Sequence, residues 1–287
     1  MTKSNLFYQN YDLLFQSKDY TREVNQILNI YRRKNQKTPR RVLDLGCGTG
    51  NHTRELAKIV PHVTGLDIDP LMVKLAKIKL QPFAKRASII NLPIEKLPLK
   101  FKFDLTVALF NVINYISTWP ELVSFFRGVK THLTSQGIFL FDAWNGVAAL
   151  TDPPRAKSWV VKTKLKTIIC HLTASSDLWE QKTSLTYDLE VRTNGKRKQD
   201  KYLLLQTLWT PFEIRSALNF AGLKLLFCSP LGQPQKRATV SSSTFSFAAI
   251  FGFISIIGLL NLKIINPQKT HIVRVANQPT MTCPLTP

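Results

Sequence analysis

Apolar and polar positions along this chain follow two different periods, and the change between them divides the sequence. Over the first half, helical stripes alternate with short continuous apolar runs, as expected of a parallel sheet layered by helices. Val24, Ile27, Leu28 and Tyr31 share one face of a helix over Tyr20–Arg33. Arg41–Leu45 is a short buried strand, and a helix opens at Asn51 or His52 and runs to Ile59, with Pro61 ending it. His62–Leu66 is the second strand. Asp69 before Pro70 marks the start of a helix carrying Leu71, Leu75 and Ile78. Ala87–Asn91 and Phe103–Phe110 are strands three and four, the latter apolar enough to be buried on both faces. Thr118 and Glu121 form a capping box ahead of the stripe Leu122, Phe125, Phe126, Val129, Leu133, and Gly137–Asp142 is strand five.

From Arg155 to Leu208 the period becomes two. Val161, Thr163, Leu165, Thr167 and Ile169 alternate with Lys162, Lys164 and Lys166, and Leu185, Tyr187, Leu189 and Val191 alternate with Thr186, Asp188 and Glu190. Asn194-Gly195 is a two-residue hairpin turn, with another strand at Lys201–Leu208. This predicts an antiparallel sheet inserted before the last helix. That helix has a capping box at Thr210 and Glu213, a buried face of Ile214, Ala217, Leu218 and Ala221, and Gly222 as its stop. Strand six is Leu223–Cys228. Ser229–Thr244 reads as a linker, and Phe245–Leu262 is apolar and uncharged, at the lower length limit for a membrane-crossing helix. Two readings of this tail stay open: a membrane or interfacial anchor, and a hairpin packed on the core with Thr270–Ala276 as the final antiparallel strand. Residues beyond Asn277 are expected to be disordered. The expected organisation is a core with an N-terminal cap over 1–150, an insertion over 151–210, the end of the core over 211–228, and a linker and tail over 229–287 with 245–262 as the candidate membrane segment.

At 287 residues the chain can bury a full α/β core and carry the insertion. Its 39 Lys and Arg against 18 Asp and Glu leave a formal charge of +21, which favours anionic partners. The basic residues are spread along the chain without a compact arginine-rich tract, so nucleic acid is not the favoured partner. The lysines of the insertion fit a solvated face, or, as the sharper option, a site for an anionic acceptor. Cys47, Cys170, Cys228 and Cys283 have no Cys-x-x-Cys spacing and read as reduced thiols; with a polar N-terminus lacking a signal-peptide core, a cytoplasmic protein is expected, and no metal.

The candidate chemistry starts at Arg41–Asn51, where a buried strand bearing Asp44 breaks into Gly46, Gly48 and Gly50. Spaced glycines between a strand and a helix let backbone approach a nucleotide-like ligand closely. The spacing Asp-x-Gly-x-Gly-x-Gly differs from the dinucleotide fingerprint, whose third glycine would fall at Asn51. Asp67 ends strand two about 20 residues beyond the glycine loop, where a carboxylate accepts from both ribose hydroxyls. Asn111, Asn114 and Tyr115 follow strand four, and Asp142 and Trp144 end strand five, all at the carboxyl ends where open α/β sheets bind ligands. Asn111 and Asn114 have a second reading, as groups that satisfy the turn backbone. Tyrosine at 115 is a hydrogen-bonding residue whose ordinary pKa, about 10, makes it a poor base.

The glycine loop resembles motif I of the class I S-adenosylmethionine-dependent methyltransferases. Tyr11–Tyr20 and the Phe-Asp-x-Trp of residues 141–144 resemble a small-molecule subgroup that includes amino-sugar N-methyltransferases. The resemblance runs from Tyr11 to Cys228. It implies a Rossmann-like, seven-stranded, mostly parallel sheet with an antiparallel β lid after strand five. It implies S-adenosyl-L-methionine as cofactor, held by Asp44, Gly46, Cys47, Gly48, Gly50, Asp67, Ile68, Ile94, Phe110, Tyr11 and Tyr20. Asn111, Asn114 and Trp144 would bind a small acceptor, with Tyr115 as the catalytic wager, and Asn5–Asp19 would be either a helix packed on the core or a cap over the cofactor. Pro93 stands where the family often has an acid for adenine, which leaves apolar walls and the Ile94 amide for that contact. The insertion would cover the pocket, select the acceptor or pair two subunits as a homodimer. Two rival functions use the same fold: RNA binding or modification, and a membrane-attached enzyme acting on a lipid-like acceptor.

Overall fold

The computed structural model of the protein describes residues 5–230 and 244–251. Five parallel strands form on the predicted apolar runs: β1 (Arg41–Leu45), β2 (His62–Leu66), β3 (Ala87–Ile90), β4 (Phe103–Ala108) and β5 (Leu133–Trp144). β5 starts at Leu133, a residue the helical spacing places on the preceding helix, because that residue already pairs with Phe103. The sheet has seven strands in the order β10-β11-β5-β4-β1-β2-β3, completed by β10 (Leu223–Pro230) and β11 (Thr244–Phe251). The helices that join these strands bury one stripe each. α2 (Tyr20–Asn35) and α3 (Asn51–Ala57) cover one face through Val24, Leu28, Tyr31, Leu56 and Ala57, packed on Val42, Leu105 and Val107. α5 (Trp119–His132) and α7 (Pro211–Phe220) cover the other through Leu122, Phe126, Val129, Ile214 and Leu218. Both predicted capping boxes close, Thr118 with Glu121 and Thr210 with Glu213, and Asp69 caps α4 (Pro70–Lys79) by accepting from Leu71 and Met72 N–H.

One strand is placed differently from the sequence reading. Thr244–Phe251 is neither linker nor the start of a membrane helix: it lies between β5 and β10, antiparallel to both. Its residues 247–250 are buried, because every second strand position meets a helix-covered face and small residues fit between: Phe247 1% exposed, Ala248 and Ala249 0%. An uncharged run this apolar satisfies a doubly covered central strand as well as a bilayer, and composition does not separate the two. Among the described residues no helix is long and apolar enough to cross a membrane, which says nothing about a β-barrel. The remainder of the 245–262 segment, Thr270–Ala276 and the tail beyond Asn277 lie outside the described residues.

The insertion forms a separate four-stranded antiparallel sheet, β6 (Lys157–Lys162), β7 (Lys166–Asp177), β8 (Lys182–Thr193) and β9 (Lys196–Thr207). The alternation over 161–169 is not one strand; Thr163 N–H donates to the Lys166 carbonyl at 2.9 Å and turns the chain between β6 and β7. Asn194-Gly195 makes the expected left-handed turn, φ 48° and 74°. Lys162 and Lys164 thus lie at one turn and Lys196 and Lys198 beside the next, and the register Lys166↔Thr193 puts both turns at the same end of the sheet. The lysines gather at that end more than along a face. α1 (Asn5–Leu14) packs on this inserted sheet, not on the main core, through Phe7 and Leu14 against Ile168, Leu172, Leu185 and Tyr187.

Candidate cofactor and acceptor site

The glycine loop is built from behind. Asp44, 1% exposed, accepts from Thr53 Oγ1 at 2.6 Å, so it ties β1 to α3 and does not reach the cleft; burial raises its pKa. Gly46 has φ 63°, and a Cβ there would stand 2.6 Å from Val112 Cγ2. Gly48 differs: φ is 54°, but a Cβ would meet nothing within 4 Å, so its backbone faces open space. Its N–H donates to Asp67 Oδ2 at 2.8 Å, while Asp67 Oδ1 accepts from Asp69 N–H at 2.8 Å. Both oxygens of the Asp67 carboxylate are thereby engaged by backbone N–H groups, and the carboxylate is fixed against the loop. Burial raises the Asp67 pKa, opposed by the backbone N–H groups of Asp69, Gly48 and Ile68. Cys47 is buried under the loop, its thiol pushed up by burial, and is inert. Gly50 ends the loop as the left-handed cap of α3.

Several expected contacts are relocated. Ile68 is 73% exposed, and Ile94 is turned into the core against Gly128, so of Ile94 only the backbone is left for a ligand. Pro93 leads into a single 3-10 turn at Ile94–Lys96 that brings no acid, and Asn91 Nδ2 donates to the Asp67 carbonyl at 2.8 Å. Asn114 is a strut, not an acceptor ligand: it is fully buried, donates from Nδ2 to the Thr207 carbonyl at 2.7 Å and accepts at Oδ1 from Trp144 N–H at 2.9 Å. Trp144 packs with the cluster under the inserted sheet. Asn111 keeps a buried Oδ1 with no partner among the described residues.

β4 ends two residues earlier than predicted, because Phe110 and Asn111 both adopt the left-handed conformation, φ 71° and 62°. The Phe110 ring is met edge-on by Phe15 at 5.2 Å and lies under Lys18 Nζ at 4.6 Å. The N-terminal segment therefore lies against the end of β4 and the glycine loop. Asp12 accepts from Thr49 Oγ1 at 2.6 Å and Asn51 Nδ2 at 2.9 Å and pairs with Lys79 at 2.7 Å, and Tyr8 donates to Asp69 at 2.8 Å. A cavity of about 320 Å³ opens beside Asn51, lined by Asp12, Lys18, Tyr20 and Arg54 among others.

Sequence reasoning expected the insertion to cover the pocket but did not single out the residues it contributes. Tyr187 and Tyr202, paired across β8 and β9, bring their rings under the sheet, and Tyr202 stacks on Phe7 at 4.0 Å. Burial raises the pKa of Tyr11, Tyr115 and Tyr187, and neighbouring tyrosine hydroxyls add to the rise; Tyr187 is pushed up to about 12. The signal was present in the sequence, since both tyrosines occupy inward positions of their strands. Tyr115 itself is half-exposed, and the Gln206 side chain opposes the rise of its pKa.

Residues 42–137 match the methyltransferase domain family. The chain is 26% identical over 136 residues to a dTDP-3-amino-3,4,6-trideoxy-alpha-D-glucopyranose N,N-dimethyltransferase of Streptomyces venezuelae, covering 47% of this chain and 55% of that protein. It is 30% identical over 125 residues to a malonyl-[acyl-carrier protein] O-methyltransferase of Bacillus cereus, 42% of this chain and 44% of the other. The chain thus spans about half the length of these curated relatives. Among solved structures, a sugar N-methyltransferase from Streptoalloteichus superposes with a TM-score of 0.71 at 21% identity, over 86% of this chain and 92% of that one. An S-adenosylmethionine-dependent methyltransferase from Clostridium acetobutylicum superposes with 0.73 at 21%, over 87% and 99%. With its glycine loop, its strand order and the match over residues 42–137, the chain is similar to S-adenosylmethionine-dependent methyltransferases and carries a methyltransferase domain over those residues.

Proposed function

We propose that the protein transfers a methyl group from S-adenosylmethionine to the amine nitrogen of a small molecule, a sugar amine being the first class to try. The observation that carries the cofactor half is the pairing of an open Gly48 backbone with an Asp67 carboxylate fixed beside it. Asp67 would hold the ribose hydroxyls, and the mixed charges near Asn51, with Lys18 and Arg54 beside Asp12, suit a zwitterionic amino-acid end. The cofactor supplies an already activated methyl group, so the protein's share is proximity, orientation and proton management.

Nitrogen is favoured over oxygen by the acid–base chemistry of the cleft. Tyr11, Tyr115 and Tyr187 all have raised pKa values, so each stays protonated and donates; none serves as a base. His52 is turned to Glu23 at 2.7 Å. An alcohol would need a base to attack, whereas an amine loses its proton to solvent in the fraction present as free base. The aromatic walls suit the cation formed by methylation. Transfer of labelled methyl to dTDP-3-amino-3,6-dideoxy-alpha-D-glucopyranose, simple amines and hydroxylated analogues tests this. The rate should rise with pH as the amine deprotonates and then level off. No falling limb should come from Tyr115, which is neutral while protonated and whose raised pKa keeps it so past its ordinary value of about 10. Preferential labelling of the hydroxylated analogues would refute the nitrogen assignment.

A further inference from the structure

Asp142 is the one buried carboxylate at the carboxyl end of β5, 3% exposed, and both of its oxygens are engaged in the same way. Oδ2 accepts from Phe110 N–H at 3.0 Å and Oδ1 from Asn111 N–H at 2.6 Å. These are the two consecutive non-glycine residues whose φ values, 71° and 62°, bring Cβ against the backbone. Successive N–H groups turned to one side make a concavity that favours an anion, and here a neighbouring strand supplies it. The register Ala108↔Phe141 explains how: it sets β4 and β5 side by side, so the residue after Phe141 meets the residues after Leu109. Burial raises the Asp142 pKa and the two amides oppose that rise, which is what a filled anion nest looks like.

We propose that Asp142 is a positioning residue. It holds Phe110 and Asn111 in a conformation they would otherwise leave, and so sets where Asn111 and Tyr115 stand and where the Phe110 ring meets Phe15 and Lys18 of the N-terminal segment. Trp144 N–H on Asn114 fixes the far end of the same turn, so β5 grips the turn at two points. A carboxylate is needed because both donors require acceptors; an amide of equal shape sets its NH2 against one of the N–H groups.

Only the catalytic readout rests on the methyltransferase reading, and the test separates the two. Asp142→Asn is made in the full chain and, separately, in an Asn111→Gly background, where glycine takes the left-handed conformation without cost. Chemical denaturation should show the destabilisation by Asp142→Asn at least halved in the glycine background. Calorimetry with S-adenosylmethionine should show affinity for Asp142→Asn within about threefold of the parent, while methyl transfer to dTDP-3-amino-3,6-dideoxy-alpha-D-glucopyranose falls tenfold or more. Equal destabilisation in both backgrounds overturns the proposal. So does a loss of cofactor affinity as large as the loss of rate. The denaturation result needs no acceptor, so it decides the clamp even if that amine is not methylated.

Discussion

A chain ending at Ser243 is expected to lose its native fold, whereas one ending at Gly252 keeps it. The shorter chain lacks β11, which fills the gap between β5 and β10. Phe247 is the outer member of an aromatic stack: its ring lies 4.8 Å from Phe141 at 6°, and Phe141 lies 4.6 Å from Phe139. Losing Phe247 and Ile250 forfeits about 2–3 kcal/mol of burial each. Two ladders of backbone bonds vanish as well, at about 1 kcal/mol per bond. The sum is on the order of 10 kcal/mol, comparable with the whole stability of a typical domain. Circular dichroism and size-exclusion chromatography read the outcome. A monomeric 1–243 chain with a cooperative transition near that of 1–252 would show that β11 is dispensable.

Replacing Asp67 by alanine should weaken S-adenosylmethionine binding on the order of 100-fold by calorimetry. Each hydrogen bond from a hydroxyl to a charged carboxylate contributes about 1.5–3 kcal/mol, and two ribose hydroxyls are at stake. The same change frees Gly48 N–H and Asp69 N–H, loosening the loop at the point where a ligand would touch it. Asp67→Asn keeps the shape and removes the charge, and should fall between the two. Unchanged affinity in Asp67→Ala would mean that the ribose is held elsewhere.

The strands and helices of the first 150 residues were legible because each is fixed by local rules: an apolar run between glycines, a proline at a first turn, a capping box. Asp67 was legible for the same reason, as the acid that ends a strand. What escaped depended on contacts distant in sequence. Asp142 looked like one more acid at a strand's end, and its service to Phe110 and Asn111, 32 and 31 residues earlier, follows only from the β4–β5 register. Asn114 offered two polar ends and gave no sign that backbone groups at Trp144 and Thr207 would take both. Ile94 was placed by its neighbourhood to Pro93, but Gly128, on α5, makes the space that draws it inward. Tyr187 stood out in the alternation of its strand, but the partner of that sheet, α1, precedes it by more than 140 residues.

The position of β11 also bears on the order in which the molecule assembles. Neighbouring parallel strands meet across short separations, as Arg41 and His62 do, and the inserted sheet can zip by its own hairpins. Ser246 must find Asp142 across 246 − 142 = 104 residues, and until it does, β5 and β10 each carry an unpaired edge. Long-range pairing of this kind is slow. Amides of β5 facing β11 should therefore be the last to gain protection in pulse-labelled hydrogen exchange during refolding, after those of β7 and β8; the reverse order would show that the sheet closes first. During that interval the chain is most exposed to self-association, and concentration, rather than temperature, would govern the yield of folded protein.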